Sequence, residues 1–226
     1  MPKDIQPHKL FEIYQEARGK RLYTRSILPG RVFFDERIVK ERNEEYREFD
    51  PKRSKLAAII MKGCTNIGIR KNDVVLYLGC SHGYTPSFIS DIVGKEGLIF
   101  GLDPAPRVMR DFVFLAEERK NLVPVLADAN HPEQYLERVS GVDIVYQDVA
   151  QRNQADIFIR NCQLFLKKGG YGLLAVKARS IDIKRQPKQL FTEIRNELDK
   201  IFTVIDYKIL DPFEKDHCMI IIKSKV

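Results

Sequence analysis

Four cysteines, Cys64, Cys80, Cys162 and Cys218, are scattered through 226 residues with no C-x-x-C pair and no metal-ligand spacing. That absence argues against a structural zinc site and against a disulfide framework, and predicts reduced thiols. No apolar run approaches the roughly 20 residues that cross a bilayer, and no charged-then-apolar leader opens the chain. The sequence therefore reads as soluble and cytoplasmic, with no membrane partner. Internal repeats, low-complexity tracts and a Ser/Gly linker between large domains are also missing.

What is present is positive charge and an alternating pattern of elements. Thirty-eight Lys and Arg against 31 Asp and Glu give a formal charge of +7, which favours a polyanionic partner over an acidic small molecule. Residues 1–52 are aromatic and charged, with alternating stretches at Lys9–Tyr14 and Arg31–Arg37 and a turn at Pro29-Gly30. They predict a small domain of short antiparallel strands. The remaining chain, 53–226, opens with an expected helix over Arg53–Met61, its apolar face at Leu56, Ile59 and Ile60 and its stop at Gly63.

From Val74 onward, apolar runs at 74–78, 98–102, 122–126, 142–146 and 172–177 alternate with helical segments at 86–93, 106–119 and 154–166 and a short turn near 133–138. Strand and helix in alternation predict an α/β fold with a parallel sheet and right-handed crossovers. After a helix at 188–200, runs at 202–209 and 218–222 are joined by a loop too short for a parallel crossover, so they predict an antiparallel hairpin. A mostly parallel seven-stranded sheet finished in this way is the Rossmann-like arrangement of S-adenosylmethionine (SAM) dependent methyltransferases.

The stretch Val74–Thr85, VVLYLGCSHGYT, runs from a buried strand through Gly79 and Gly83 into a helix, a nucleotide-cofactor pattern. Its G-x-x-x-G spacing is not the G-x-G-x-x-G of dinucleotide sites. Ligands of open sheets bind beyond the carboxyl ends of the strands. Those ends carry Gly79–Thr85, Asp103 with Pro104, Asp128-Ala129, Asp148–Gln151 and Lys177. Asp103 suits ribose hydroxyls, Asp128 suits the adenine amino group, and the N–H groups of Tyr84 and Thr85 suit a carboxylate tail.

The strings RSKLAAIIMK (53–62), DVAQ (148–151), KGGY (168–171), AVKARSID (175–182) and PFEKDH (212–217) resemble fibrillarin, in particular the archaeal fibrillarin-like 2′-O-methyltransferases, along nearly the whole chain. The resemblance implies methyl transfer from SAM to ribose 2′-hydroxyls of rRNA and possibly tRNA, at sites chosen by a box C/D guide RNA. It implies a catalytic quartet at Lys55, Asp148, Lys177 and His217, and a cofactor site that includes Val149, Ala150 and Gln151. Two departures stand out: Cys80, His82 and Tyr84 replace small residues of the family loop, and Asp103-Pro104 replaces a Glu and an aromatic residue. Basic residues Lys52, Arg53, Arg179, Lys184, Arg185 and Lys188 flank the quartet in sequence and suit phosphate contacts that read no bases. A Nop-domain scaffold protein and a kink-turn-binding ribosomal-type protein are the implied partners. Two alternatives share this reading: a non-catalytic subunit of the same particle, and a protein methyltransferase. No metal site is expected.

Overall fold

The computed structural model describes residues 4–225. Five short strands, β1 (Ile5–Pro7), β2 (Ile13–Glu16), β3 (Leu22–Arg25), β4 (Ile38–Glu41) and β5 (Glu44–Glu48), form an antiparallel sheet in the order β1-β2-β3-β5-β4. The segment 31–37, expected to be a strand, is a loop. The Glu36 carboxylate accepts from the N–H groups of Phe33 and Phe34, donors that a strand would offer to a neighbour. Within 9–14 only Ile13 and Tyr14 join the ladder, because Leu10 N–H donates to His8 Nδ1 instead.

Helix α1 (Lys55–Met61) starts at the Ser54 cap and leads to β6 (Val74–Leu78), an interior strand of a seven-stranded sheet. Then follow α2 (Tyr84–Val93), β7 (Leu98–Asp103), α3 (Pro106–Glu118), β8 (Leu122–Leu126), a 3₁₀ turn (Pro132–Tyr135), β9 (Val142–Gln147), α4 (Gln154–Phe165), β10 (Leu166–Lys177), a single turn α5 (Ala178–Ile181), α6 (Pro187–Ile201), β11 (Thr203–Ile209) and β12 (His217–Lys223). The order is β11-β12-β10-β9-β6-β7-β8, with β12 antiparallel to both neighbours and β6–β10 parallel. The expected terminal hairpin is therefore present. Strand β10 begins six residues before the apolar run at 172. A bulge between Leu166 and Tyr171, with Gly169 at φ +73°, carries the polar KKGG tract along the ladder, so hydropathy alone could not find this half of the strand.

Alternation along the strands sorts two cores. Val75, Tyr77, Ile144, Tyr146, Leu173, Ala175, Met219 and Ile221 face α1–α3 and the small sheet. Leu76, Leu78, Val145, Leu174, Val176, Ile220 and Ile222 face α4 and α6. The small sheet contributes Ile13, Leu22 and Phe49 to the first core, so it packs as a second layer over the large one.

Charge also ties these layers together. Arg47 on β5 is wholly buried; its Nε lies 2.7 Å from Glu36 Oε1, its Nη1 2.7 Å from Asp91 Oδ2, and its Nη2 donates to Ser87 Oγ. Arg119 reaches the other Asp91 oxygen at 2.8 Å, and Thr24 Oγ1 donates to Asp91 as well. Burial works to raise Glu36, but the Arg47 charge and backbone N–H groups overcome it and hold the carboxyl below its ordinary range. Removing one partner of such a network strands the others in a dry interior. Arg47→Met is expected to lose about 3–5 kcal/mol of unfolding free energy in urea titrations. Breaking the exposed Arg31–Glu118 pair by Arg31→Ala should cost less than about 1 kcal/mol.

Candidate active site

The period of two that sorts the cores also gathers the chemistry. Tyr77, Tyr146, Ala175 and Met219 lie in the core beneath α1, and one pleat further along the same face come Gly79, Asp148, Lys177 and His217. Lys177 and His217 are direct partners across β10 and β12. Lys55 opens α1, whose cap Ser54 accepts from Ala57 N–H, and its Nζ is 2.9 Å from Asp148 Oδ2. Three separate segments of the sheet and one helix start thus bring the four residues to the carboxyl edge of the parallel strands. The order of the sheet reverses between β6 and β9, where the crevice of an open α/β sheet forms.

The loop after β6 crosses that crevice. Gly79 has φ +82°, and a Cβ there would stand 2.5 Å from the Asp148 carbonyl oxygen, so only glycine lets the two strand ends meet. Gly83, at φ +91°, caps α2 where a Cβ would strike Leu115 and Phe112. Asp103 accepts from Ser81 N–H at 3.1 Å and Ala105 N–H at 3.0 Å, which holds the loop and leaves carboxylate lone pairs for a ribose. Pro104 beside it is exposed. Asp128 accepts from the N–H and Nδ2 of Asn130, and these bonds hold it below the usual carboxylate range against a smaller effect of burial. Asn130 Nδ2 also donates to Gln151 Oε1 at 2.6 Å, so it joins the ends of β8 and β9. Asn130 has no signal in the sequence beyond its place two residues after Asp128.

A cavity of about 390 Å³ is lined by Phe34, Arg53, Tyr77, Asp148, Gly79 to His82 and Tyr84 to Pro86. The N–H groups that begin α2, the Asp103 carboxylate and the Asp128–Asn130–Gln151 cluster are donors and acceptors of the kinds that a SAM tail, ribose and adenine require, so the residues fit that cofactor. The Tyr84 ring is not free to face a ligand. It packs edge-on to Phe34 and beneath the Arg53 guanidinium, 4.2 Å from the ring centroid. Thr85 Oγ1 donates to Ser54 Oγ, which ties the start of α2 to the cap of α1. Val149 packs against Gly79, while Ala150 is exposed. Ala129 is buried in the opposite core with its carbonyl accepting from Asn161, so it anchors the loop from below. A larger concavity of about 530 Å³ between Phe33, Phe34 and α3 borders none of Lys55, Asp148, Lys177 or His217.

His217 is 8% exposed, and burial lowers its pKa from 6.5; the Lys55 charge adds to this, against the carbonyl of Lys215 and the charges of Glu214 and Asp148. Its Nδ1 lies 2.7 Å from that carbonyl oxygen, an acceptor only, so Nδ1 carries the proton. The neutral ring therefore keeps its lone pair on Nε2. Among the basic residues named from the sequence, Lys52, Lys184 and Lys188 are exposed, while Arg53 donates to the Phe34 carbonyl. Arg179 pairs with Asp216 and Arg185 with Glu193.

Similarity to known proteins agrees with this geometry. A family model described as Fibrillarin matches residues 5–226. The chain is 44% identical over 224 residues to a fibrillarin-like rRNA/tRNA 2′-O-methyltransferase of Pyrococcus horikoshii, covering 98% of this chain and 99% of the relative. Its fold matches a Methanococcus jannaschii fibrillarin pre-rRNA processing protein at TM-score 0.94 and 42% identity, over 100% of this chain and 99% of that one. It matches Aeropyrum pernix fibrillarin in complex with natively bound SAM at TM-score 0.88 and 41% identity, with 97% of each chain covered. A fibrillarin/Nop5p complex contributes a further match at TM-score 0.81 and 34% identity, over 95% of this chain and 98% of that one. Sequence similarity along almost the entire length, together with the same sheet and the same small N-terminal layer, gives the conclusion that the chain belongs to the fibrillarin family.

Proposed function

We propose that this chain transfers the methyl group of SAM to ribose 2′-hydroxyls of rRNA and tRNA, as the catalytic subunit of a box C/D guide ribonucleoprotein. The observation that carries the proposal is the convergence of Lys55, Asp148, Lys177 and His217 beside the loop cavity. The names of the relatives and the SAM-bound family member support it. SAM, when bound, supplies a methyl group made electrophilic by its sulfonium.

A 2′-hydroxyl is a weak nucleophile whose proton must leave as its oxygen attacks. Lys177 is exposed at the end of β10 and is assigned to orienting and deprotonating that hydroxyl. Asp148 holds the Lys55 ammonium at 2.9 Å and so fixes both charges at the mouth of the cavity. His217, neutral and with Nε2 unprotonated, positions the nucleotide or accepts the proton beside Lys177. Gly79, Tyr84, Thr85, Asp103, Asp128 and Gln151 hold the cofactor through backbone N–H groups and side-chain acceptors. A subunit with no catalytic duty has no need of this convergence.

Lys52, Arg53, Arg179, Lys184, Arg185 and Lys188 are assigned to phosphate contacts on the substrate or guide. Such contacts select no sequence, so site choice falls to the guide RNA, to a Nop-domain scaffold and to a kink-turn-binding protein. The fibrillarin/Nop5p complex supports the scaffold among these partners.

Reconstitution with guide RNA, both partner proteins and labelled SAM tests the proposal. Lys177→Ala and Asp148→Asn are each expected to lower single-turnover methylation by about 10²–10⁴-fold; wild-type rates in both would overturn the assignment. The chain without guide and scaffold should give only background transfer, and site-specific methylation by it alone would remove the dependence on partners. Acid stability offers a separate check on His217. Its folded pKa lies below its unfolded value of 6.5, so between the two the unfolded chain binds more protons and stability falls as pH drops. His217→Gln should weaken this acid-side decline in thermal midpoint, followed from about pH 7.5 to about pH 5.

A further inference from the structure

The strand that carries Lys177 outlasts its neighbour. Strands β9 and β10 run in register only as far as Gln147 and Leu174; the chain then leaves toward β6, where Asp148 N–H donates to the Leu78 carbonyl. Strand β10 continues through Ala175 and Val176 to Lys177, past its last β9 partner. On the other side Lys177 faces His217, but the two main chains do not bond to each other. The His217 carbonyl accepts from Leu210 N–H, and it is Ala178 N–H that reaches across to the Asp216 carbonyl. Pairs of this kind in an antiparallel ladder bring their side chains closest, and they leave the main chain of Lys177 to find its partners elsewhere.

A single side chain supplies them. Gln154, the first residue of α4, accepts from Lys177 N–H with Oε1 at 3.0 Å and donates from Nε2 to the Lys177 carbonyl at 3.2 Å, so its amide stands in for the missing strand. A main-chain N–H only donates and a carbonyl only accepts, which fixes the orientation of that amide. Gln154 is wholly buried, so water cannot readily replace it. Its own main chain is held in turn: Gln147 Nε2, at the last residue of β9, donates to the Gln154 carbonyl at 2.7 Å. Gln147 is also wholly buried, and its Oε1 has no partner among the described residues, a cost that an apolar side chain filling the same space would avoid. The two glutamines close the loop 148–153 at its base. One end of that loop presents Asp148, and the amide at the other end holds Lys177.

We propose that Gln154 is a positioning residue: its amide sets the main chain at the end of β10 and so aims Lys177 at the edge where Asp148 stands. Ending β9 early frees Asp148 and the loop behind it, and Gln154 lets β10 reach past that break without leaving main-chain groups unpaired in the interior. The kinetic consequence rests on the methyl-transfer reading, whereas the hold on the Lys177 main chain does not.

Amide hydrogen exchange, followed by NMR in the full chain, tests the hold without any need of activity. In Gln154→Leu the Lys177 amide should exchange about tenfold faster or more. The Val176 and Cys218 amides, in the next pair along β10 and β12, should keep wild-type protection and show that the sheet is intact. In the reconstituted particle the same variant should lower kcat about 10- to 100-fold with the KM for SAM within about twofold, the signature of a displaced reacting group and not of a weakened cofactor site. Gln154→Glu separates positioning from bulk. Its carboxylate sets an oxygen against the Lys177 carbonyl, whereas the protonated acid accepts from the N–H and donates to the carbonyl as the amide does. Burial favours that acid form, so kcat relative to wild type at the same pH should exceed that of Gln154→Leu and rise as pH falls from about 9 to about 6. Should Gln154→Leu unprotect the whole sheet, this pH dependence decides, and a flat, low profile overturns the proposal. A Lys177 amide as protected in Gln154→Leu as in wild type overturns it too, as does wild-type kcat in that variant. Loss of protection confined to Lys177, in a protein whose wild-type particle methylates no RNA, would uphold the hold on the main chain and remove the methyl-transfer reading.

Discussion

Asp91 is a carboxylate with almost no water and two guanidinium partners, and the arrangement of the layers follows from it. It sits on α2, on the large-sheet side of the boundary. Arg47 and Thr24 reach it from the small sheet, and Arg119 reaches it from the end of α3. A buried carboxylate cannot be left without these donors, so a shift of the small sheet by even one strand register would expose charge to the interior. Apolar contacts between the layers fill space but tolerate sliding; this network does not. The position of β5 in turn sets the start of α1, because only Phe49–Ser54 separate them. The network therefore fixes the approach of Lys55 to Asp148 from more than one layer away.

That dependence explains what could be read from the chain and what could not. The central strands are apolar runs buried on both faces, which hydropathy reports directly, and the terminal hairpin follows from a loop too short to cross over. The loop at 31–37 does alternate as a strand would, yet Glu36 takes the backbone donors that a strand needs. The first half of β10 shows the opposite: its ladder bonds form in a polar tract that hydropathy does not report. Arg47 lies in a run of charged residues, and its residue type does not distinguish it from the half-buried Glu44 and Glu48 beside it. Its burial is a property of three segments at once.

The site divides along the same line. Gly79, Asp103, Asp128, Asp148 and Lys177 were readable as strand ends, because the end of an apolar run marks the edge of the sheet. Lys55 and His217 came only through the strings RSKLAA and EKDH, since a lysine at a helix start and a histidine before a strand ordinarily face solvent. Asn130 and Ser54 carry no such signal. Asn130 joins β8 to β9 and Ser54 joins α1 to α2, and such joins exist only in the folded chain.

Among the four converging residues, charge is distributed unevenly. Lys55 and Asp148 form a close pair, 2.9 Å apart, and of the two charges that of Lys55 acts the more strongly on His217. Burial and the same Lys55 keep His217 neutral, with its free lone pair on Nε2. The cationic character of the edge thus rests on Lys177 and on the exposed Lys184 and Lys188 beyond it, while the ring paired with Lys177 carries no charge to repel a proton. Positive charge and an unprotonated ring nitrogen therefore stand side by side at this edge. The cost of keeping that nitrogen neutral is the burial of His217, and β12 supplies it by running antiparallel between β10 and β11, which delivers the first residue of an interior strand to the edge where the parallel strands end.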